Sequence, residues 1–197
     1  MIIVIALSVI VVSFAFSDTV RLDVTLDGQN VTVSPIAVPF GKDIGSMSTE
    51  MENYTYDQMN NVDSNVTTLK EGLTKIAKNY GFKDITVNVN SQFGENTMPM
   101  EVVVDGVSMV PTLKDGENVI IEKTKSPKIG DIIVVKDPEE VLLIKRLGNI
   151  SGDQIFLSSD NNDTVVMNVN GVPVEMIAIE KWTNASNIVG VAKIFNV

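Results

Sequence analysis

Val104-Asp-Gly-Val-Ser-Met-Val-Pro-Thr-Leu113 carries the local signal around which the rest of this chain can be arranged. The β-branched run at Val102–Val104 predicts a strand leading into it. Asp105 and Gly106 break that strand. Pro111, with a fixed φ and no N–H to donate, keeps regular structure from resuming at once. Ser108 is therefore set just past a strand end on a tight path. That setting suits an exposed nucleophile and equally an ordinary loop serine, so the choice rests on what else the chain supplies.

The chain of 197 residues contains no histidine and no cysteine. The missing imidazole excludes a Ser-His-Asp triad, so a serine nucleophile here needs another base. Without His or Cys a zinc site loses its usual ligands, and neither a metal nor another cofactor is expected. Disulfide and thiol chemistry are excluded as well. Acidic residues outnumber basic ones by 25 to 15, for a net charge of −10. No basic patch stands out, and nucleic acid is not an expected partner.

From Met98 onward nearly every segment reads as a short strand bounded by turns. Asn118-Val-Ile-Ile-Glu122 lies between Asp115-Gly116 and Ser126-Pro127, and Ile129-Gly-Asp-Ile-Ile-Val-Val-Lys136 follows. A turn at Asp137-Pro-Glu-Glu140 leads to a returning strand, Val141–Leu147. Gln154–Leu157, a hairpin around Asn170-Gly171 and a closing strand at Ile188–Phe195 complete the set. This spacing predicts a mainly β unit, a folded-over sheet or partly open barrel. Lys145 interrupts the apolar returning strand. A lysine there usually marks a solvated face. Desolvated among leucines and valines, however, its pKa falls, and a neutral amine within reach of Ser108 could act as general base.

Residues 1–16, MIIVIALSVIVVSFAF, carry no charge and as a helix would span about 24 Å. A cleaved signal peptide fits the small residues Ser13, Ala15 and Ser17. The unbroken β-branched run without a basic start favours a retained transmembrane signal-anchor over residues 1–17. Asn-x-Ser/Thr tripeptides begin at Asn30, Asn53, Asn65, Asn149, Asn162 and Asn184. An Asn- and Thr-rich chain yields some of these by chance, but their number favours placing residues 18–197 outside the cytoplasm. Between anchor and Met98, Val20–Leu26 and Asn30–Val33 predict a hairpin around Asp27-Gly28. Met47–Asn61 is a weak helix signal. Val66, Leu69, Leu73, Ile76 and Ala77 form a clear helical stripe ended by Gly81, and Lys83–Asn90 alternates as a strand. These make a small α/β insert over residues 18–97, with Asn88–Pro99 as its linker. No catalytic constellation stands out in it.

These residues together resemble a known family. Gly106-Val-Ser-Met-Val-Pro-Thr-Leu113 and the following Lys114-Asp-Gly look like the nucleophile box of type I signal peptidases. Ile129–Val135 is similar to the next box, Ile144-Lys-Arg-Leu-Gly-Asn-Ile-Ser-Gly-Asp153 to the box carrying a lysine base, and Asn187–Gly190 to the closing strand. The resemblance covers roughly Met98–Val197. It implies Ser108 as nucleophile, Lys145 as general base and the Ser108 backbone N–H as an oxyanion-hole donor. Some members add a serine hydroxyl two residues before the nucleophile; here that position is Gly106. The last box is matched only by Ser158-Ser-Asp-Asn161, where Asp160 would orient the lysine, brace the loop or serve as a plain turn aspartate.

The resemblance thus implies a single-pass membrane endopeptidase, with its catalytic domain over residues 98–197 on the extracytoplasmic side. Its partners would be the signal peptides of exported preproteins and membrane lipid. Two other readings fit parts of the chain. A self-cleaving repressor shares the Ser-Lys pair, but no DNA-binding segment accompanies it here. A non-catalytic surface glycoprotein on a degenerate peptidase scaffold would account for the incomplete last box.

Overall fold

The computed structural model describes residues 18–38, 41–137, 141–161, 163, 165–169, 172–176 and 180–195. The expected membrane segment, the tips of the turns at residues 138–140 and 170–171, residues 177–179 of the strand expected from Val172 and the Asn162 sequon lie outside them. Among the described residues no helix is long and apolar enough to cross a membrane.

The first sheet grows from β1 (Thr19–Leu26), where Val20, Leu22, Val24 and Leu26 alternate into the interior while Arg21 and Thr25 face out. It pairs antiparallel with β2 (Val31–Val38) and in parallel with β3 (Asp84–Ser91), which turns into a two-residue β4 (Gly94–Glu95). Two helices cross over between β2 and β3. In α1 (Ile44–Asn60) the buried Met47, Met51, Thr55 and Met59 recur every four residues, and in α2 (Val66–Asn79) Leu69, Leu73, Ile76 and Ala77 do the same work. This spacing puts each set on one face, against the apolar side of the sheet. Asn65 starts α2: its side chain accepts from the N–H groups of Thr67 and Thr68, and Thr68 returns the contact to the Asn65 N–H. That reciprocal cap gives Asn65-Val-Thr a structural reason independent of glycosylation.

The expected linker from Asn88 is instead part of the fold. Asn88 and Asn90 are the outward face of β3, alternating with Val87 and Val89, and Met98 is buried in the first core. Their polarity belongs to one side of a strand rather than to a loop.

The remaining chain forms β5 (Pro99–Val103), β6 (Asn118–Glu122), β7 (Ile132–Lys136), β8 (Leu142–Ser151), β9 (Gln154–Ser158), β10 (Val165–Val169), β11 (Val172–Met176), β12 (Lys181–Asn184) and β13 (Ile188–Phe195). β10 and β11 pair as a separate hairpin; the others make one antiparallel sheet in the order β12-β9-β8-β7-β13-β6-β5. Apolar clusters cover both faces. One contains Met100, Met109, Leu113, Ile121 and Val134, and the other Ile133, Leu147, Leu157 and Val191. The sequence pattern missed β12 and ended β8 too early, at Leu147. β8 continues through Gly148 by a shift of register between Leu147 and Asn149.

Further register shifts interrupt β13 at Ile188/Gly190 and at Ala192/Ile194. Irregularities of this kind bend a strand and increase its twist. At Gly190 the neighbouring backbone comes so close that a Cβ would lie 2.4 Å from the Glu122 carbonyl oxygen. The sheet therefore curls, and β5, its terminal strand, is carried round towards β8.

Candidate active site

Ser108 lies in the loop between β5 and β6, and that loop is tied down at several points. Val104 N–H donates to Glu117 O and Gly116 N–H to Val104 O, both at 2.9 Å, closing its base. Gly106 takes φ +90°, a left-handed conformation that favours glycine, and its N–H donates to Asp115 Oδ1 at 2.8 Å. Met109 and Leu113 are wholly buried and anchor the loop in the core. The Val110–Pro111 peptide is cis. Between these anchors Ser108 is half-buried, and its own N–H has no partner among the described residues.

Lys145 comes from the middle of β8, paired across the ladder with the buried Ile133. Only 3% of its surface is exposed, and its Nζ is hydrogen-bonded to Ser108 Oγ. The two residues are 37 positions apart in the chain. Burial pushes the Lys145 pKa down from the ordinary lysine value, and the Asp160 carboxylate opposes part of that shift. The two side chains singled out in the sequence are therefore brought into contact, and the amine is biased towards its neutral form.

Asp160 does not touch Lys145 by any hydrogen bond in the structure. It accepts from Arg146 instead, from Nε at 2.6 Å and from Nη2, and from Thr112 Oγ1 in the Ser108 loop. The Arg146 guanidinium holds the Asp160 carboxyl below the usual carboxylate range, against the opposing effect of burial. Arg146 also reaches Gly130 O at 2.6 Å. Asp160 thus braces the loop and the strand carrying the lysine, and acts on Lys145 only through its charge.

Asn161 was not singled out in the sequence. Its backbone N–H donates to Ser108 O at 3.0 Å and its side-chain Nδ2 to Val107 O at 3.0 Å. One residue thereby holds the carbonyls of both Val107 and Ser108. The short Ser158–Asn161 match was the only signal for it.

A cleft of about 330 Å³ opens beside this pair, lined by Met100–Val103, Asp105, Ser108, Val134 and Leu142–Lys145. One wall is β5, whose outer edge has no paired strand among the described residues; the other is the start of β8. The lining is mostly apolar and has room for an extended peptide along the open edge. No group of three or more metal-ligating side chains occurs among the described residues.

Residues 91–194, just over half of the chain, match the family described as signal peptidase, peptidase S26. Signal peptidase I U of Bacillus subtilis (strain 168) is 38% identical over 63 residues, which cover 29% of this chain and 34% of that protein. The chain matches about a third of the length of this curated relative.

Proposed function

The chain belongs to the signal peptidase (peptidase S26) family, and we propose that it is a membrane-anchored serine endopeptidase that removes signal peptides from exported preproteins. The contact between Lys145 Nζ and Ser108 Oγ is the observation that supports this most. In this reading residues 1–17 form the anchor, 18–97 the insert and 98–197 the extracytoplasmic catalytic domain.

A substrate segment adds as a strand to the open edge of β5, with small side chains entering the apolar cleft. Neutral Lys145 takes the proton of Ser108 as Oγ attacks the scissile carbonyl carbon. The Ser108 N–H, which has no partner among the described residues, donates to the oxygen that gains negative charge. Collapse breaks the C–N bond, and the Lys145 ammonium returns its proton to the departing amine. The acyl-enzyme is then hydrolysed by water whose proton passes to Lys145, and Ser108 recovers its own.

Preprotein cleavage by the wild type, Ser108→Ala and Lys145→Ala tests this. Release of the mature protein by the wild type and by neither variant is expected. Full cleavage by either variant would overturn the mechanism.

A further inference from the structure

The insert touches the larger sheet at the strand pair β5–β6 and at the end of β7. At the middle of that pair, where Glu101 faces Ile120, the β1–β2 turn packs onto it. Gly28 takes φ +95° and lies so close to Ile120 that a Cβ would sit 2.8 Å from Ile120 Cγ2. The neighbouring Gln29 donates from Nε2 to Glu101 Oε1 at 3.1 Å. Asp27 shapes the turn by accepting from the N–H groups of Gln29 and Asn30, and Gln92 Nε2 donates to Asp27 O at 2.6 Å.

Just past the end of the pair where Pro99 faces Glu122, Lys123 is the link. Its backbone N–H donates to Met98 O at 2.9 Å, just before β5 begins. Its Nζ donates to Gln58 O at 3.2 Å and Asn61 O at 2.6 Å, at the C-terminus of α1, where orphan carbonyls favour a cation. Val62 packs against the core cluster that holds Met100, and Asp63 pairs with Lys136 at 3.1 Å.

Among the described residues β5 has one paired neighbour, β6, and its other edge borders the cleft. A terminal strand held on one side depends on whatever else restrains it. The insert supplies restraints at the middle of β5 and at its Pro99 end, and Glu101, which bonds Gln29, is itself a cleft-lining residue. We propose that the insert is a positioning element for the substrate-pairing strand, with Gln29 and Lys123 as its two fastenings. It acts through β5 on substrate affinity and leaves the chemistry at Ser108 alone. This rests on the peptidase reading above.

The test uses the full chain with Gln29→Glu, which sets a second carboxylate against Glu101, and Lys123→Met, which removes the bonds to α1. In each, KM for a preprotein should rise by about fivefold, the loss of one modest polar contact, while kcat stays within about twofold. Labelling of Ser108 by a small serine-directed covalent probe, which needs no strand pairing, should keep its wild-type rate. Amide hydrogen exchange should accelerate in Met100–Val103 and not in β8. Wild-type KM and wild-type β5 exchange in both variants would overturn the inference, as would parallel losses of kcat and probe labelling. Failure of the peptidase reading has its own signature, a wild type that neither cleaves preprotein nor takes the probe. The exchange measurement still decides whether the insert restrains β5.

Discussion

Lys145 Nζ meets Ser108 Oγ although β7, β13 and β6 all lie between β8 and β5 in the sheet. The contact exists because the sheet curls, and it sets the lysine amine in a buried position. The direction of the Lys145 pKa follows from that burial, so the pH dependence of cleavage is the first consequence.

Only the neutral amine can accept the Ser108 proton, so kcat/KM should rise with pH as Lys145 loses its proton. Burial lowers the pKa, so the midpoint of the rise falls below the ordinary lysine value of about 10.4. Asp160 raises the Lys145 pKa, and Asp160→Asn should move the midpoint to lower pH while destabilising the loop. Lys145→Arg should be inactive throughout, because a guanidinium stays charged at any working pH. A pH–rate profile of the three proteins checks this; an unshifted midpoint in Asp160→Asn would remove the electrostatic link.

Asn161 offers a separable test of loop positioning. Asn161→Ala deletes the bond to Val107 O and the one its Oδ1 accepts from Asp163 N–H, and keeps the backbone bond to Ser108 O. The expected cost is about 2 kcal/mol in stability, the usual net value of two hydrogen bonds. The expected fall in kcat is about tenfold, because a shift of the nucleophile of well under 1 Å is enough. Urea unfolding and steady-state kinetics measure the two, and a loss of stability with unchanged kcat would make Asn161 a purely structural residue.

Local chemistry made the strands at Asn118–Glu122 and Ile188–Phe195, the helix at Val66–Asn79 and the Ser108 turn legible in the sequence. Each is specified by alternation, helical spacing or turn residues within a few positions. Ser108 and Lys145 could be named individually, while their contact depends on a curl produced by register shifts at Gly190 and Gly148, and no local pattern encodes it. Asp160 was read as bracing the loop or orienting the lysine, and its ion pair with Arg146 shows which neighbour it holds. Asn161 stayed hidden because a backbone N–H donor has no sequence signature. β12 is four residues long, too short for alternation to register.

The two glycines that shape the site should respond differently to alanine. At Gly106 the space is open, so Gly106→Ala meets only the penalty of its left-handed φ, about 1–2 kcal/mol. At Gly190 the φ is ordinary for any residue, but the new Cβ would collide with Glu122 backbone. A backbone atom cannot move aside as a side chain can, so β6 and β13 must separate. Gly190→Ala should therefore be the more damaging, by more than about 3 kcal/mol. Thermal unfolding of both variants gives the order, and a more stable Gly190→Ala would show that the sheet can relax there.

Lys123, the proposed fastening of α1, has a measurable titration of its own. Burial lowers its pKa from 10.5 to about 8, with Asp63 opposing. Between pH 8 and 10.5 the unfolded chain holds a proton on this lysine that the folded chain has released. Stability from this group therefore rises with pH across that window, since unfolding takes up a proton. Below pH 8 both states are protonated, and the contribution is flat at its least favourable level. The buried Lys145 contributes in the same sense, while the raised pKa of Tyr54 acts in the opposite one. The comparison that isolates Lys123 is therefore the difference between wild type and Lys123→Met. That difference should shift in favour of the wild type as pH goes from 8 towards 10.5, read from urea midpoints at several pH values. A difference independent of pH would mean that Lys123 titrates in the folded protein as it does in the unfolded chain.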